Sequence, residues 1–186
     1  MVRNFDPRPV PADVVDRLLT NALRAPSAGF TQGWAFLVLD GRHETSRLWG
    51  ATFPDDDARR RFRWQGLFAA PLVVVVLSHK QAYLERYAQP DKGWTDRDEG
   101  RWPVPYWDVD AGFAALLMLL TAVDAGLGAL FFGVFEIDRF RQEFGVPDAY
   151  TPVGAVAIGY PLADEPSPSL ARGRRSLDDV VHRGGW

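Results

Sequence analysis

The sequence predicts an α+β fold: a small sheet wrapped by helices, with one very apolar helix inside. Three observations carry that expectation. Short apolar runs with strand character alternate loosely with segments of helical periodicity. Pro71-Leu72-Val73-Val74-Val75-Val76-Leu77 is a continuous β-branched run, typical of a strand covered on both faces. Residues 108–125 are apolar nearly all round, the pattern of a helix buried on all sides, which in a chain of this size points to a subunit interface.

The elements follow in order. Pro11, Ala12 and Asp13 open the first helix, with proline in its first turn and an acid near its positive end. Val14, Val15, Leu18, Leu19, Ala22 and Leu23 recur at helical spacing, and Pro26 stops the helix. Residues 34–39 read as a strand, Asp40-Gly41 as a turn and residues 42–50 as a short helix. Over residues 55–68 three acids precede Arg59, Arg60, Arg61 and Arg63, an order that suits a helix dipole. Residues 89–107 mix Pro, Gly, Asp and Arg with Trp94, Trp102, Tyr106 and Trp107. A long irregular segment of this kind predicts a lid or binding loop, the alternative being a surface loop pinned by its own aromatics. Gly126-Leu127-Gly128 ends the long helix. A short strand at 129–134, a helix at 136–144 ended by Gly145, and a second buried strand at 151–158 follow. A Pro/Ser-rich stretch leads to Arg172-Gly173-Arg174-Arg175, after which Ser176 is expected to cap a final short helix with Asp178 and Asp179 in its first turn. Roughly four strands and five or six helices result, in one domain over residues 1–186.

Composition excludes several classes of function. At 186 residues the chain is long enough for one substantial core. Its formal charge of −3 offers no footprint for nucleic acid or an anionic membrane. The basic residues are arginine apart from Lys80 and Lys92, so the positive charge is carried by guanidinium groups suited to phosphate. Absence of cysteine removes disulfides, thiol nucleophiles, thiolate metal sites and dithiol redox chemistry, and is compatible with a reducing cytoplasm. The N-terminal residues lack the apolar core of a signal peptide. The longest apolar run, residues 111–123 between Asp110 and Asp124, is too short to span a bilayer.

Conventional catalytic constellations do not emerge. Gly126-Leu127-Gly128 follows a helix and precedes a strand, the reverse of a dinucleotide fingerprint. His43, His79 and His182 are widely spread with no ligand spacing, so no metal site is expected, and there is no P-loop. Asp108 and Asp110 are candidates either to cap the long helix or to act as paired acids. What remains is chemistry carried by a bound cofactor, which the protein need only hold, orient and polarise. Ala25-Pro26-Ser27-Ala28-Gly29-Phe30-Thr31-Gln32-Gly33-Trp34, between a helix and a strand, has little bulk and lets backbone approach a flat ligand.

This stretch resembles the Ala-Pro-Ser-Ser-x-Asn-x-Gln-Pro-Trp segment of the nitroreductase family of flavin-dependent oxidoreductases, and the similarity extends over almost the whole chain. The resemblance implies a nitroreductase-like α+β fold, a small mostly antiparallel sheet surrounded by helices, with the buried apolar helix at a homodimer interface. It implies FMN as cofactor and NADH or NADPH as electron donor. In that family the segment lies against the isoalloxazine ring across the dimer, so Pro26, Ser27 and Ala28 would line the flavin of the other subunit. Arg3-Asn4-Phe5, followed by Val10 and Pro11, is similar to the family's Arg-x-Phe segment. That implies Arg3 at the flavin N1/O2 edge, where a fixed cation offsets charge gathered on reduction. Gln65 stands where the family often has a polar flavin contact. Residues 126–135 resemble the family's Gly-Leu-Gly-x-x-Trp-x-Gly-Gly-Phe segment, which implies Gly133 at flavin N5, the hydride-accepting atom. Arg172 and Arg174 match a basic-x-Arg phosphate clamp ahead of a closing helix and a terminal Trp186.

Three departures qualify the likeness. Only Met1-Val2 precede Arg3, where the family has a helix and an Arg-Arg-Ser-type segment. Phe30 replaces the family's Asn, and Gly33 its Pro. The implied activity is ping-pong hydride transfer from NAD(P)H to nitroaromatics, quinones or similar planar acceptors, in a cytoplasmic homodimer. Flavin N5 carries the chemistry, so no side chain is catalytic. Phe30, Trp102, Tyr106 and Trp107 are candidates to stack on the substrate. The departures leave two alternatives: a flavin- or deazaflavin-binding protein with little turnover, and a specialised flavin enzyme of the same fold, either a flavin-fragmenting benzimidazole synthase or a reductive dehalogenase.

Overall fold

The β-branched run forms the middle of the molecule, as a strand sealed on both sides. The computed structural model describes residues 1–53 and 55–186. In it β3 (Leu72–Ser78) pairs with β2 (Trp34–Asp40) on one edge and with β5 (Thr151–Pro161) on the other. β5 also pairs with β4 (Gly128–Phe132) and with the two-residue β1 (Phe5–Asp6), and every ladder is antiparallel. Side-chain alternation along β3 divides the core in two. Leu72, Val74 and Val76 pack with α1 (Ala12–Ala22) and α5 (Tyr106–Asp124). Val73, Val75 and Leu77 join Leu48 and Trp49 of α2 (Arg42–Thr52) and Phe140 of α6 (Ile137–Phe144). All seven residues of β3 are buried, as a strand between two helical layers requires.

Close packing of the sheet against aromatic rings fixes Gly154 in β5. A Cβ there would lie 2.7 Å from Phe131 Cε2 and 2.9 Å from the Phe132 carbonyl oxygen. The ring can yield but the backbone oxygen cannot, so Gly154→Ala is expected to cost about 1–3 kcal/mol by overpacking. The urea-unfolding midpoint measures this, and an unchanged midpoint would contradict such tight packing.

Four expectations are corrected. The segment 55–68 is not one helix: α3 (Asp56–Arg61) is followed by an extended Phe62 and a 3-10 turn, Gln65–Ala69. The 3-10 turn runs close against the N-terminal segment: a Cβ at Gly66 would lie 2.8 Å from the Asn4 Cα and collide with its side chain. A helix unmarked by the sequence reading, α4 (Lys80–Tyr87), follows β3. It buries only Tyr83 and Leu84, so its apolar stripe is faint. The segment after Ser176 makes a single turn rather than a helix. Ser176 Oγ accepts from the Asp179 N–H at 3.2 Å, and Asp179 Oδ2 accepts from the Ser176 N–H at 3.2 Å. The cap therefore forms, but Leu177, Val180 and Val181 stay exposed, and a turn without tertiary packing does not propagate.

The fourth correction concerns α5, which is not buried all round within one chain. Its inner face is narrow, with Ala111, Ala114, Ala115 and Ala122 around Met118, and α1 lies against it. Phe113, Leu116, Leu120 and Val123 are exposed on the other side. By length and composition alone α5 would pass for a membrane span, but buried Asp110 and Thr121 and its packed inner face are those of a core helix.

Candidate functional site

Where β4 leaves the sheet, residues 130–133 form one wall of a cavity of about 360 Å³. The other walls are aromatic: Trp49 and Phe53 from the end of α2, and Phe62 and Trp64 from the segment after α3. Arg3 borders the same cavity, its guanidinium 4.9 Å from the centre of the Trp64 ring. The chain on either side of Arg3 is pinned. The Arg3 N–H donates to Asp164 Oδ2 at 2.8 Å, and Asn4 Nδ2 donates to the Ala163 carbonyl at 2.6 Å. Gly133 closes the β4 wall with the Phe135 ring just beyond it, 3.1 Å from where a Cβ would stand. The Trp49 Nε1–H is buried without an acceptor among the described residues. A flat, largely apolar group with polar edges suits such walls, since ligand cavities are mostly apolar with a few placed polar groups.

Gln65 lies beside this cavity, in a shallow pocket shared with Arg3 and Asn4. Its Nε2 donates to the carbonyls of Arg59 at 2.9 Å, Arg60 at 3.2 Å and Phe62 at 2.6 Å. The amide nitrogen thus closes the C-terminus of α3. Only its carbonyl oxygen remains to meet a ligand.

Pro26, Ser27 and Ala28 lie elsewhere, against α4 and α5. Asp110 and Asp108 do not cap α5, whose first turn follows Pro105 without a side-chain cap. Asp108 Oδ1 accepts from buried Ser78 Oγ at 2.7 Å, and Asp110 Oδ2 accepts from the Ala28 N–H at 2.7 Å. Tyr83 OH donates to the same Asp110 oxygen at 2.7 Å, and burial raises the phenol's pKa so that it keeps this proton. Beyond Ala28 the backbone turns left-handed at Gly29, Phe30 and Gln32, with φ of 60°, 53° and 53°. Phe30 is 80% exposed there. Asn adopts such φ values at less cost than Phe, so the departure from the family's Asn carries a backbone cost. Phe30→Asn is therefore expected to stabilise the fold by about 0.5–1 kcal/mol, read from the denaturant midpoint, while weakening any stacking of planar ligands on this loop.

The other aromatic candidates pack on one another. Trp102 is ringed by Tyr87 at 4.4 Å, Trp94 at 5.4 Å, Tyr106 at 5.7 Å and Trp107 at 6.0 Å between centroids. Trp107 is buried, and Tyr106 is half-buried at the start of α5. Ion pairs fasten the segment: Lys80–Glu99 at 2.8 Å, Arg86–Asp91 at 2.8 Å and Arg101–Asp96 at 2.5 Å. It is a pinned aromatic pillar rather than a free lid. Arg172 and Arg174 are exposed in the C-terminal segment, Arg172 closing a 3-10 turn, Pro168–Arg172.

Within one chain, then, Arg3 and Gly133 share a cavity with Gln65 adjacent, whereas Pro26, Ser27 and Ala28 lie on the loop before β2, and the arginine pair on an exposed tail. Sequence reasoning missed the aromatic walls Trp49, Phe62 and Trp64, and the loop supports Tyr83 and Arg86 of α4; it marked Asp110 of α5 but as a cap or paired acid, not as a support of the loop. The supports on α4 were hidden because that helix was not recognised. The cluster of aromatics between residues 49 and 68 was a visible signal for the walls.

The antiparallel sheet between two helical layers defines a fold class that solved structures share. An FMN-dependent nitroreductase from Clostridium difficile R20291 superposes with a TM-score of 0.70 at 21% identity, over 100% of this chain and 94% of that chain. A provisionally assigned nitroreductase from Exiguobacterium sibiricum 255-15, solved in complex with FMN, gives 0.69 at 21% identity, over 97% and 91%. An NADPH-dependent oxidoreductase of Staphylococcus aureus (strain USA300) is 26% identical over 188 residues, covering 100% of this chain and 70% of that protein. The nitroreductase family model matches residues 1–160. The chain belongs to the nitroreductase family.

Proposed function

We propose that this protein is an FMN-dependent oxidoreductase, working as a soluble cytoplasmic homodimer, that passes hydride from NADH or NADPH to planar acceptors such as nitroaromatics and quinones. The observation that carries the reading is the meeting of Arg3 and Gly133, far apart in the sequence, at one aromatic-walled cavity. FMN, when bound, supplies the hydride chemistry at its N5. The chain's own residues bind and orient it. Arg3 holds a positive charge at the rim, where negative charge gathers. Gly133 lets the main chain approach, and the Gln65 carbonyl oxygen is available to a ring N–H. The walls of Trp49, Phe53, Phe62 and Trp64 exclude water. Arg172 and Arg174 take the phosphate through charge-assisted hydrogen bonds.

A second copy completes the site, because Pro26, Ser27 and Ala28 sit on a different side of each chain from the cavity. The exposed apolar face of α5, together with exposed Leu23 just past the end of α1, is the surface proposed to bring two copies together. Phe30 then offers an exposed ring to a planar substrate, with Trp102, Tyr106 and Trp107 as the pillar behind that side of the site. The test is direct. Purified protein is expected to be dimeric and yellow, to release FMN on heating, and to oxidise NADH or NADPH in the presence of a naphthoquinone. A colourless protein that takes up no added FMN and oxidises neither nucleotide would defeat the reading. Uptake of a deazaflavin in preference to FMN would correct the cofactor.

A further inference from the structure

Asp110 is an acid for which the proposed chemistry has no use, yet it is 2% exposed on the inner face of α5. A buried carboxylate is costly unless donors surround it. Here a single oxygen, Oδ2, accepts from both the Ala28 N–H and the Tyr83 O–H, each at 2.7 Å. The Tyr83 hydroxyl stands 3.4 Å from Ser27 Oγ, which in turn accepts from the Gln32 N–H at 2.8 Å. Both ends of the left-handed loop therefore hang from one carboxylate. A second tether holds its middle: Arg86 Nε donates to the Gly29 carbonyl at 3.0 Å, while its two terminal nitrogens clasp Asp91 at 2.8 Å each. Three left-handed residues within four positions persist only where the surroundings over-determine them.

We propose that Asp110 is the positioning residue of the flavin-facing loop, fixing Ala28 directly and Ser27 through Tyr83 in the orientation each protomer presents to the FMN of the other. The inference rests on the reading of Pro26, Ser27 and Ala28 as flavin-lining residues. It goes beyond that reading by assigning the loop's geometry to a side chain that itself touches no cofactor.

The experiment uses the full-length protein and three variants: Asp110→Ala, Asp110→Asn and Tyr83→Phe. Backbone hydrogen exchange is followed on FMN-free protein, and FMN affinity by quenching of flavin fluorescence. Alanine leaves the Ala28 N–H and the Tyr83 hydroxyl without an acceptor. Exchange over residues 27–32 should quicken about tenfold and the FMN Kd should rise about tenfold, with exchange in β3 unchanged. Asparagine puts back an oxygen where Oδ2 stood, so Asp110→Asn should return both values to within about threefold of the wild type. Recovery by the neutral variant, confined to the loop and to FMN, is what a general loss of stability would not give. The positioning role is overturned if Asp110→Ala leaves loop exchange and FMN affinity unchanged, or if β3 and the loop quicken together. Should Asp110→Ala fail to fold, Tyr83→Phe, which keeps the carboxylate but cuts the link to Ser27, carries the test. It should quicken loop exchange about threefold, and wild-type exchange there would overturn the proposal. Wild-type protein with a protected loop but no FMN uptake overturns the flavin reading itself. Normal FMN uptake by indifferent Asp110 variants overturns only the positioning role.

Discussion

The double variant Arg172→Ala/Arg174→Ala is expected to lose FMN affinity by a factor of about 10² to 10⁴, with its thermal midpoint almost unmoved. Each guanidinium contributes charge-assisted hydrogen bonds to a phosphate, worth about 1.5–3 kcal/mol apiece, and each 1.4 kcal/mol is about tenfold in Kd. Both side chains are exposed in the chain, so their removal opens no void and should change folding stability by no more than about 0.5 kcal/mol. Riboflavin, which has the ring but no phosphate, provides the control. Wild type and double variant should bind it equally, since only the phosphate contacts differ. An equal loss of affinity for FMN and riboflavin would show that the pair acts on something other than phosphate. The discrimination should also shrink at high salt, where exposed charge is screened within about 3 Å at 1 M.

That prediction depends on residues the sequence makes easy to see, and the ease has a physical basis. β3 declares itself because a strand packed on both faces has no polar alternation to hide it, and all of its residues are buried. α1 does so because Val15, Leu18 and Ala22 recur on one face while Asp13, Asp16 and Arg17 stay outside. α4 did not, because two buried residues in an eight-residue helix leave almost no periodic signal. The 55–68 segment misled because its charge order is that of a helix, whereas the chain turns extended at Phe62 and its following turn packs Gly66 against Asn4, a contact between residues far apart in the chain. The same distinction governs the site. Gly133 and Arg172 stand in recognisable local segments. Asp110 does not, since its partners Ala28 and Tyr83 come from two other parts of the chain and meet only in the fold. Gln65 falls between these cases: its position could be read, but not that its amide nitrogen would be committed to three carbonyls of its own segment.

Phe140→Ala is expected to cost about 3–5 kcal/mol, a large part of the roughly 5–15 kcal/mol that holds a domain folded. Phe140 is the one buried residue of α6 and is fully enclosed. Its ring lies 5.4 Å from Phe144 and belongs to the same core cluster as Leu48 and Trp49. Half-buried Phe144 packs on the edge of the same cluster, and the other ties of α6 are polar contacts that cannot substitute for Phe140. Arg139 donates to the carbonyls of Gly50 and Phe53, and Arg141 to that of Tyr150 at 2.9 Å. Exposed bonds of this kind contribute about 0.5–1.5 kcal/mol each, so they cannot offset an emptied ring site. The thermal midpoint should fall by about 6–20 °C for a chain of this size, with the urea m-value unchanged. FMN affinity should fall with it, because the cavity wall at Trp49 is packed from behind by the layer that α6 completes. Phe140→Leu, which refills most of the volume, should restore the stability to within about 1.5 kcal/mol of wild type and recover the affinity. A loss in Phe140→Ala below about 1 kcal/mol would mean that α6 is dispensable to the core, and that the Trp49 wall is held by α2 and the sheet alone.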